Sequence, residues 1–103
     1  MVDPADAMAE QAGEVAAFLS GLASPHRLLI LCALAQGEQS VTDLIARTGI
    51  AQTSMSQHLA KLRDEKIVDF RREHRVLKYA IAHPAVMEIM AVLYVHFCGK
   101  DRS

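Results

Sequence analysis

The sequence has no tryptophan, and aromatic residues make up only 5% of its 103 positions. Its two cysteines are too few for the disulfide framework of a small secreted domain. It also lacks a run of about 18 apolar residues, the length that a membrane-spanning helix requires. The first ten residues include three acids and no base, unlike a secretory signal. We therefore expect a single cytoplasmic domain with no membrane partner.

The chain as a whole also has no excess of positive charge, since its formal net charge is −1. The charges are nevertheless unevenly placed. Residues 47–78 contain eight basic and four acidic residues, whereas the rest of the chain contains three basic and eight acidic residues. A basic segment within an otherwise acidic chain is typical of a nucleic-acid surface confined to one part of a protein.

Sequence motifs of common enzymes are absent. The chain has no nucleophile elbow, no glycine-rich phosphate loop and no paired carboxylates. We therefore predict that the protein is not an enzyme and has neither catalytic residues nor a cofactor. Apolar residues still make up 51% of this short chain, which indicates that some apolar surface is buried against a partner.

Residues that start and stop helices divide the chain into five predicted helices. Pro4, Pro25 and Pro84 each suit a first helical position. After the fourth helix, apolar and polar residues alternate, which predicts a β-hairpin with its tip near Glu73 and His74. The predicted elements are helices over 4–22, 25–36, 41–48, 52–65 and 84–98, and a hairpin over 67–82. The fold class is mainly α with a hairpin wing, in the order α-α-α-α-β-β-α.

A short turn containing Gly49 joins the third and fourth predicted helices, so residues 41–65 form a helix-turn-helix pattern. The fourth helix places its apolar residues inward at spacings of four and three, and its outer face is polar. Short polar side chains near a helix N-terminus suit base edges and phosphates. The candidate DNA-binding residues of this helix are Gln52, Thr53, Ser54, Ser56, Gln57, His58 and Lys61. We expect His58 either to orient the helix or to contact phosphate.

The hairpin that follows is basic. Arg71, Arg72 and Arg75 lie at or near its tip, where a wing contacts flanking phosphates or the minor groove. All three are therefore candidate DNA-binding residues.

The first and last helices, 4–22 and 84–98, are richer in small and apolar residues than one buried face requires. The last helix has two adjacent apolar stripes. We expect the two terminal helices to pack together and form the interface of a homodimer. The alternative is that the last helix lies in the core of its own chain.

Residues 24–81 resemble the ArsR/SmtB family of winged-helix repressors. The matching segments are SPHRLLILCAL, SVTDLI, TSMSQHLAKLRDEKIV and RREHRVLKYAI. The resemblance implies a homodimer that binds an imperfect inverted repeat in double-stranded operator DNA and is released by an inducer. Three positions depart from the family pattern. Ala51 replaces a polar helix cap, and Lys66 and His74 replace glycines.

Cys32 and Cys98, with their flanking residues, resemble the persulfide-sensing BigR and SqrR branch of that family. The resemblance implies that the two thiols react with reactive sulfur species, close an intrasubunit disulfide or polysulfide bridge, and release DNA. A pair of thiols suits such stepwise chemistry. Both cysteines could instead be small buried apolar residues.

Three further interpretations stay open. A metal-responsive repressor would use Cys98, His96 or His83, although the third helix has no cysteine and the last helix lacks the expected ligand spacing. We therefore predict no dedicated metal site. A general sensor of thiol oxidation by peroxide would need the same two cysteines. A protein-interaction module that has lost DNA binding would show no salt-dependent affinity for DNA.

Overall fold

Residues 3–99 form five helices and three short strands in a computed structural model of the chain. The elements are α1 (Pro4–Leu22), α2 (Pro25–Leu34), β1 (Gln39–Ser40), α3 (Val41–Thr48), α4 (Gln52–Asp64), β2 (Val68–Glu73), β3 (Val76–Ile81) and α5 (Pro84–Phe97). The predicted winged-helix order is confirmed, with one short strand added before α3. None of these five helices is by itself long and apolar enough to cross a membrane. The helices α1 and α2 meet that test only as a pair bent by 85°.

The predicted helix starts are confirmed by side-chain caps. The backbone N–H of Ala5 donates to the Asp3 carboxylate at 2.8 Å, and that of Asp43 donates to Ser40 Oγ at 3.1 Å. These acceptors satisfy N–H groups that have no partner within their own helix.

Three helices end slightly earlier than predicted, and α5 ends at Phe97 rather than Cys98. The helix α2 ends at Leu34 rather than Gln36, because the chain turns before Gly37, whose φ is +137°. The helix α4 ends at Asp64 rather than Glu65. The centre of α2 is apolar on every side, which predicts a helix within the core, but Leu29 is 49% exposed. The neighbours α3 and β3 cover other sides of α2 and leave Leu29 open.

The sheet is antiparallel, with strand order β1-β3-β2. In the hairpin, Val68 pairs with Ile81 and Glu73 pairs with Val76, so the tip is at residues 74–75, one residue beyond the predicted tip. The strand β1 adds to the free edge of β3, where Gln39 pairs with Tyr79. The sequence did not predict β1 because two polar residues are too few to show an alternating pattern.

The core lies between α2, α3, α4, the start of the hairpin and α5. The largest fully buried side chains are Ile30, Leu31, Leu44, Met55, Leu59, Leu62, Ile67, Val68 and Val86. Burying a side chain of this size contributes about 1.5–3 kcal/mol. Three of these residues belong to α4, so the core holds that helix by one face and leaves the other open.

The terminal helices are only partly covered in the single chain. On α1 the buried residues are Gly21 and Leu22. On α5 one face is buried, whereas Val92, Val95 and Phe97 are 56%, 63% and 72% exposed. Met87 and Tyr94, which belong to the second apolar stripe of this helix, are 44% and 47% exposed, so that stripe is not buried within its own chain.

Candidate nucleic-acid interface and cysteine pair

The helix α4 has a buried apolar face and an exposed polar face. Met55, Leu59 and Leu62 are at most 2% exposed, and the helix packs against α3 and β2. The predicted DNA-binding residues that lie exposed on the opposite side are Gln52, Thr53, Ser56, Gln57 and Lys61. Ser54 and His58 are half-buried. The structure thus places five of the seven residues on one accessible surface.

The start of α4 has no side-chain cap, as the alanine at position 51 predicted. The N–H of Met55 donates to the Ala51 carbonyl oxygen at 2.8 Å, which is the first bond of the helix. The N–H groups before Met55 therefore remain available to donate to an outside partner. Such a helix end favours a negatively charged group, and a DNA phosphate has that charge.

The turn between α3 and α4 is fixed by Gly49 and Thr48. Gly49 has φ +76° and its N–H donates to the Ile45 carbonyl oxygen at 2.8 Å. Thr48 Oγ1 donates to the Leu44 carbonyl oxygen at 2.7 Å and accepts from the N–H of Ile50 at 3.2 Å. The sequence predicted that Gly49 forms this turn, but it did not predict that Thr48 contributes to it. Together these bonds set the angle between the two helices.

Arg63 connects the end of α4 to the wing. Its Nε donates to Asp69 Oδ1 at 3.1 Å, and its guanidinium lies 4.1 Å from the centre of the Phe70 ring. The N–H of Phe70, and then Arg63, lower the pKa of the Asp69 carboxyl. The wing therefore keeps a defined position relative to α4.

The three arginines of the wing have different surroundings. Arg71 pairs with Glu38 and lies 3.7 Å from a Glu73 oxygen, whereas within residues 3–99 neither Arg72 nor Arg75 forms an ion pair. Hydrogen bonding from Arg71 lowers the pKa of the Glu38 carboxyl, and the same bond raises the pKa of Arg71. Two of the three predicted cations are thus available for phosphate. Glu38 was not predicted, because it lies 33 residues from Arg71.

At two positions where the family pattern has glycine, this chain has another residue but keeps a left-handed backbone. Lys66, just after α4, has φ +64°, and His74, at the wing tip, has φ +59°. The N–H of Lys66 still donates to the Arg63 carbonyl oxygen at 2.9 Å. Both predicted departures are therefore accommodated, although a Cβ in this region raises the energy of the backbone.

His58 lies against α2 rather than on the outer face of α4. Its Nδ1 accepts a hydrogen bond from Arg27 Nε at 3.3 Å, and its ring meets that of His26 edge-on at 5.4 Å. Burial, then the charges of Arg27 and His26, lower its pKa. Of the two roles expected for His58, the contact with Arg27 supports orientation of the helix.

Cys32 is half-buried in a cleft of about 270 Å³ between α2 and α5. Met87, Ala91 and Tyr94 of α5 line the same cleft. Cys98 is exposed just after α5, and its N–H donates to the Tyr94 carbonyl oxygen at 2.9 Å. It lies one turn beyond Tyr94, about 6 Å along the helix axis. The two thiols are unbonded in this structure.

The histidines considered as metal ligands lie apart. His83 caps α5, where its Nδ1 accepts from the N–H of Ala85 at 3.1 Å, and its ring lies 4.7 Å from that of Phe18. His96 is exposed near the other end of that helix. Within residues 3–99 of one chain, no three His, Cys, Asp or Glu side chains form a group that could hold a metal ion.

Comparison with known proteins shows which family this sequence resembles. Residues 24–69 match the model of a family described as "Bacterial regulatory protein, arsR family". A biofilm growth-associated repressor of Agrobacterium fabrum is 42% identical over 100 residues, which are 97% of this chain and 86% of that protein.

Solved structures extend the likeness to the whole fold. The transcriptional repressor BigR from Xylella fastidiosa superposes with a TM-score of 0.86 at 35% identity, over 93% of this chain and 98% of that one. Reduced HlyU from Vibrio cholerae superposes with a TM-score of 0.83 at 32% identity, over 88% of this chain and 96% of that one. The chain therefore belongs to the arsR family of bacterial regulatory proteins and has their winged-helix fold.

Proposed function

We propose that this protein is a homodimeric transcriptional repressor that binds an imperfect inverted repeat in operator DNA in the cytoplasm. Residues 1–103 act as one domain, in which 41–65 read the major groove and 67–82 contact flanking phosphates. The exposed polar face of α4 supports this function, because Gln57 suits adenine and its hydroxyl neighbours suit bases or phosphates. Arg72 and Arg75 supply charge beside it. The names of the relatives described above, two of them repressors, agree with this activity.

The exposed face of α5 supports the dimer. Val92 and Val95 lie one turn apart on the exposed side of α5, and on α1 the side chains of Met8 and Leu19 are 50% and 47% exposed. In a two-fold interface each residue is buried twice, once in each copy. We propose that residues 4–22 and 84–98 form that interface. A dimer of this kind would hold its two α4 helices about one turn of DNA apart, about 34 Å.

We further propose that persulfides are the inducer and act on Cys32 and Cys98. The thiolate of one cysteine attacks the terminal sulfur of an organic persulfide, whose S–S bond breaks and whose thiolate leaves. The other cysteine attacks the inner sulfur of the new protein persulfide, and hydrosulfide leaves as a disulfide closes. The two protein thiols are oxidised, and the persulfide is reduced to a thiol and hydrogen sulfide. If a second persulfide molecule first converts the other cysteine to a persulfide and leaves as a thiolate, attack by that persulfide on the inner sulfur of the first closes a trisulfide and releases hydrosulfide.

The observation that carries this step is the position of Cys32 in the cleft beneath α5. The helix face that lines the cleft continues through Tyr94 to Cys98. A disulfide needs its two Cα atoms within about 4.4–6.8 Å, so a bridge would hold the last turn of α5 against α2. Because α5 also carries the exposed apolar face, bridge formation would move the proposed dimer interface and change the separation of the two α4 helices.

The test is release from DNA. A duplex of about 30 base pairs, long enough for two half-sites, is selected from a random library with the reduced protein. Organic persulfide, hydrogen peroxide and zinc are then added in separate titrations. We expect persulfide to release the wild type but not Cys32→Ser or Cys98→Ser, which bind normally before treatment.

Each other outcome overturns a stated part of the proposal. Release of either serine variant by persulfide would exclude a bridge between the two thiols as the mechanism. Release of the wild type by peroxide but not persulfide would identify a general oxidation sensor, and release by stoichiometric zinc alone would identify a metal sensor. Failure to select any duplex would contradict the DNA-binding function itself.

A further inference from the structure

Arg27 joins three helices through two hydrogen bonds. Its Nη1 donates to the Gly21 carbonyl oxygen near the end of α1 at 3.0 Å. Its Nε donates to Nδ1 of His58, in the middle of α4, at 3.3 Å. Arg27 itself lies in the first turn of α2. The helices α1, α2 and α4 therefore meet at one guanidinium group.

The contact determines which nitrogen of His58 holds the proton. A guanidinium group only donates, so Nδ1 must be the unprotonated acceptor and the neutral ring must be protonated at Nε2. The charged and titratable groups that face this ring are Arg27 and His26, both from α2, and neither favours a second proton. Within residues 3–99 no carboxylate is hydrogen-bonded to His58.

We propose that Arg27 is a positioning residue for DNA binding, which acts through His58 to fix the rotation of α4 about its own axis. This inference rests on the proposed DNA-binding function. Gln57 is the next residue on α4, about 100° around the helix from His58. A rotation of about 10° moves a side chain that is about 6 Å from the axis by about 1 Å, enough to disturb a hydrogen bond to a base edge.

The apolar contacts of α4 cannot supply this precision alone. Met55, Leu59 and Leu62 hold the helix against the core, but hydrophobic contact has no preferred direction. A hydrogen bond weakens steeply when its angle departs from linearity. The bond from Arg27, whose guanidinium is itself held at Gly21, therefore restricts the helix in the way that base recognition requires.

Four variants test the proposal on the selected duplex. His58→Asn places Oδ1 where Nδ1 was and should bind within about twofold of the wild type. His58→Leu and Arg27→Met each lose the bond and should bind about tenfold more weakly. The double variant should also bind about tenfold more weakly, because both changes remove the same contact. The slope of affinity against salt should not change in any of them, because no phosphate contact is lost.

The opposite results would show that Arg27 contacts DNA itself. In that case the two losses would multiply to about a hundredfold, and Arg27→Met alone would make the salt slope shallower by about one unit. Nitrogen NMR of the wild-type histidines gives a test that needs no variant, since a proton on Nδ1 of His58 would exclude the contact. If no duplex is selected, the proposed function fails, whereas the NMR result still decides whether the Arg27 contact exists.

Discussion

Arg71 and Glu38 form a two-point ion pair across the sheet. Arg71 Nε donates to Glu38 Oε2 and Nη2 donates to Oε1, each at 2.8 Å. Glu38 precedes β1 and Arg71 lies in β2, so the pair joins the two outer strands over β3, which lies between them. The parallel bonds fix the plane of the guanidinium group. Arg71 therefore helps to hold the wing, and most of its charge is compensated before DNA arrives.

Removing the charge of Glu38 should strengthen DNA binding and make it more dependent on salt. In Glu38→Gln, Arg71 is released to contact a phosphate, and the slope of log affinity against log salt should steepen by about one unit. Arg72→Ala and Arg75→Ala should each make the slope shallower by about one unit, and Arg71→Ala should change it little. Fluorescence anisotropy between about 50 and 200 mM salt measures these slopes. An equal change for all three arginines would contradict the distinction drawn between them.

Acid should destabilise the fold through His58. Burial first, then Arg27 and His26, lower its pKa from the usual 6.5. The unfolded chain therefore takes up this proton first, so the stability that the neutral ring contributes is complete above about pH 6.5 and declines as pH falls through the folded-state pKa.

His58→Asn isolates this effect, because the other four histidines are unchanged. Its urea midpoint should fall less than that of the wild type between about pH 7.5 and pH 5. Equal falls in the two proteins would show that His58 does not contribute to the acid sensitivity.

Replacing Lys66 by glycine should stabilise the protein. Lys66 has φ +64°, a region in which a Cβ costs about 1 kcal/mol. Relief of that strain exceeds the added entropy of the unfolded glycine, so Lys66→Gly should gain about 0.5 kcal/mol in urea unfolding. Lys66→Ala removes the same side chain but keeps the Cβ, and it serves as the control. If the alanine variant is as stable as the glycine variant, the backbone at Lys66 is not strained.

A charge at an exposed apolar position of α5 should separate the proposed dimer. Val95 is 63% and Phe97 is 72% exposed in the single chain, so aspartate at either position should leave the monomer folded. Val95→Asp and Phe97→Asp should give the mass of one chain by light scattering. Thr53→Asp, a charge on the exposed face of α4, should leave the mass of two chains. A wild-type monomer, or a dimer that survives both changes in α5, would contradict the interface.

Most of the fold could be predicted from local patterns. Asp3 and Ser40 are short polar side chains that cap the following helix, and Gly49 ends α3 in a left-handed conformation, so these boundaries follow from single residues. The wing followed from alternation along its two six-residue strands. The strand β1 could not be predicted, because Gln39 and Ser40 join the sheet only through backbone bonds to β3.

The side-chain contacts that shape the candidate site are long-range. Arg71 and Glu38 are 33 residues apart, and Arg27 and His58 are 31 apart. No helical or strand period links positions at such distances, so their pairing depends on the packed fold. The cysteine pair was indicated by resemblance rather than by pattern, because a cysteine within an apolar helix has the same local sequence whether it reacts or only packs.

Sulfur sensing by Cys32 and Cys98 is tested by the intact mass of the reduced protein after exposure to an organic persulfide, with remaining thiols then capped. We predict the loss of two hydrogens, with or without added sulfur, and no capped cysteine. Cys32→Ser and Cys98→Ser should each keep one sulfur-reactive thiol and form no internal bridge. Two capped cysteines and an otherwise unchanged mass in the wild-type protein would contradict the claim, and Cys32 and Cys98 would then be structural residues.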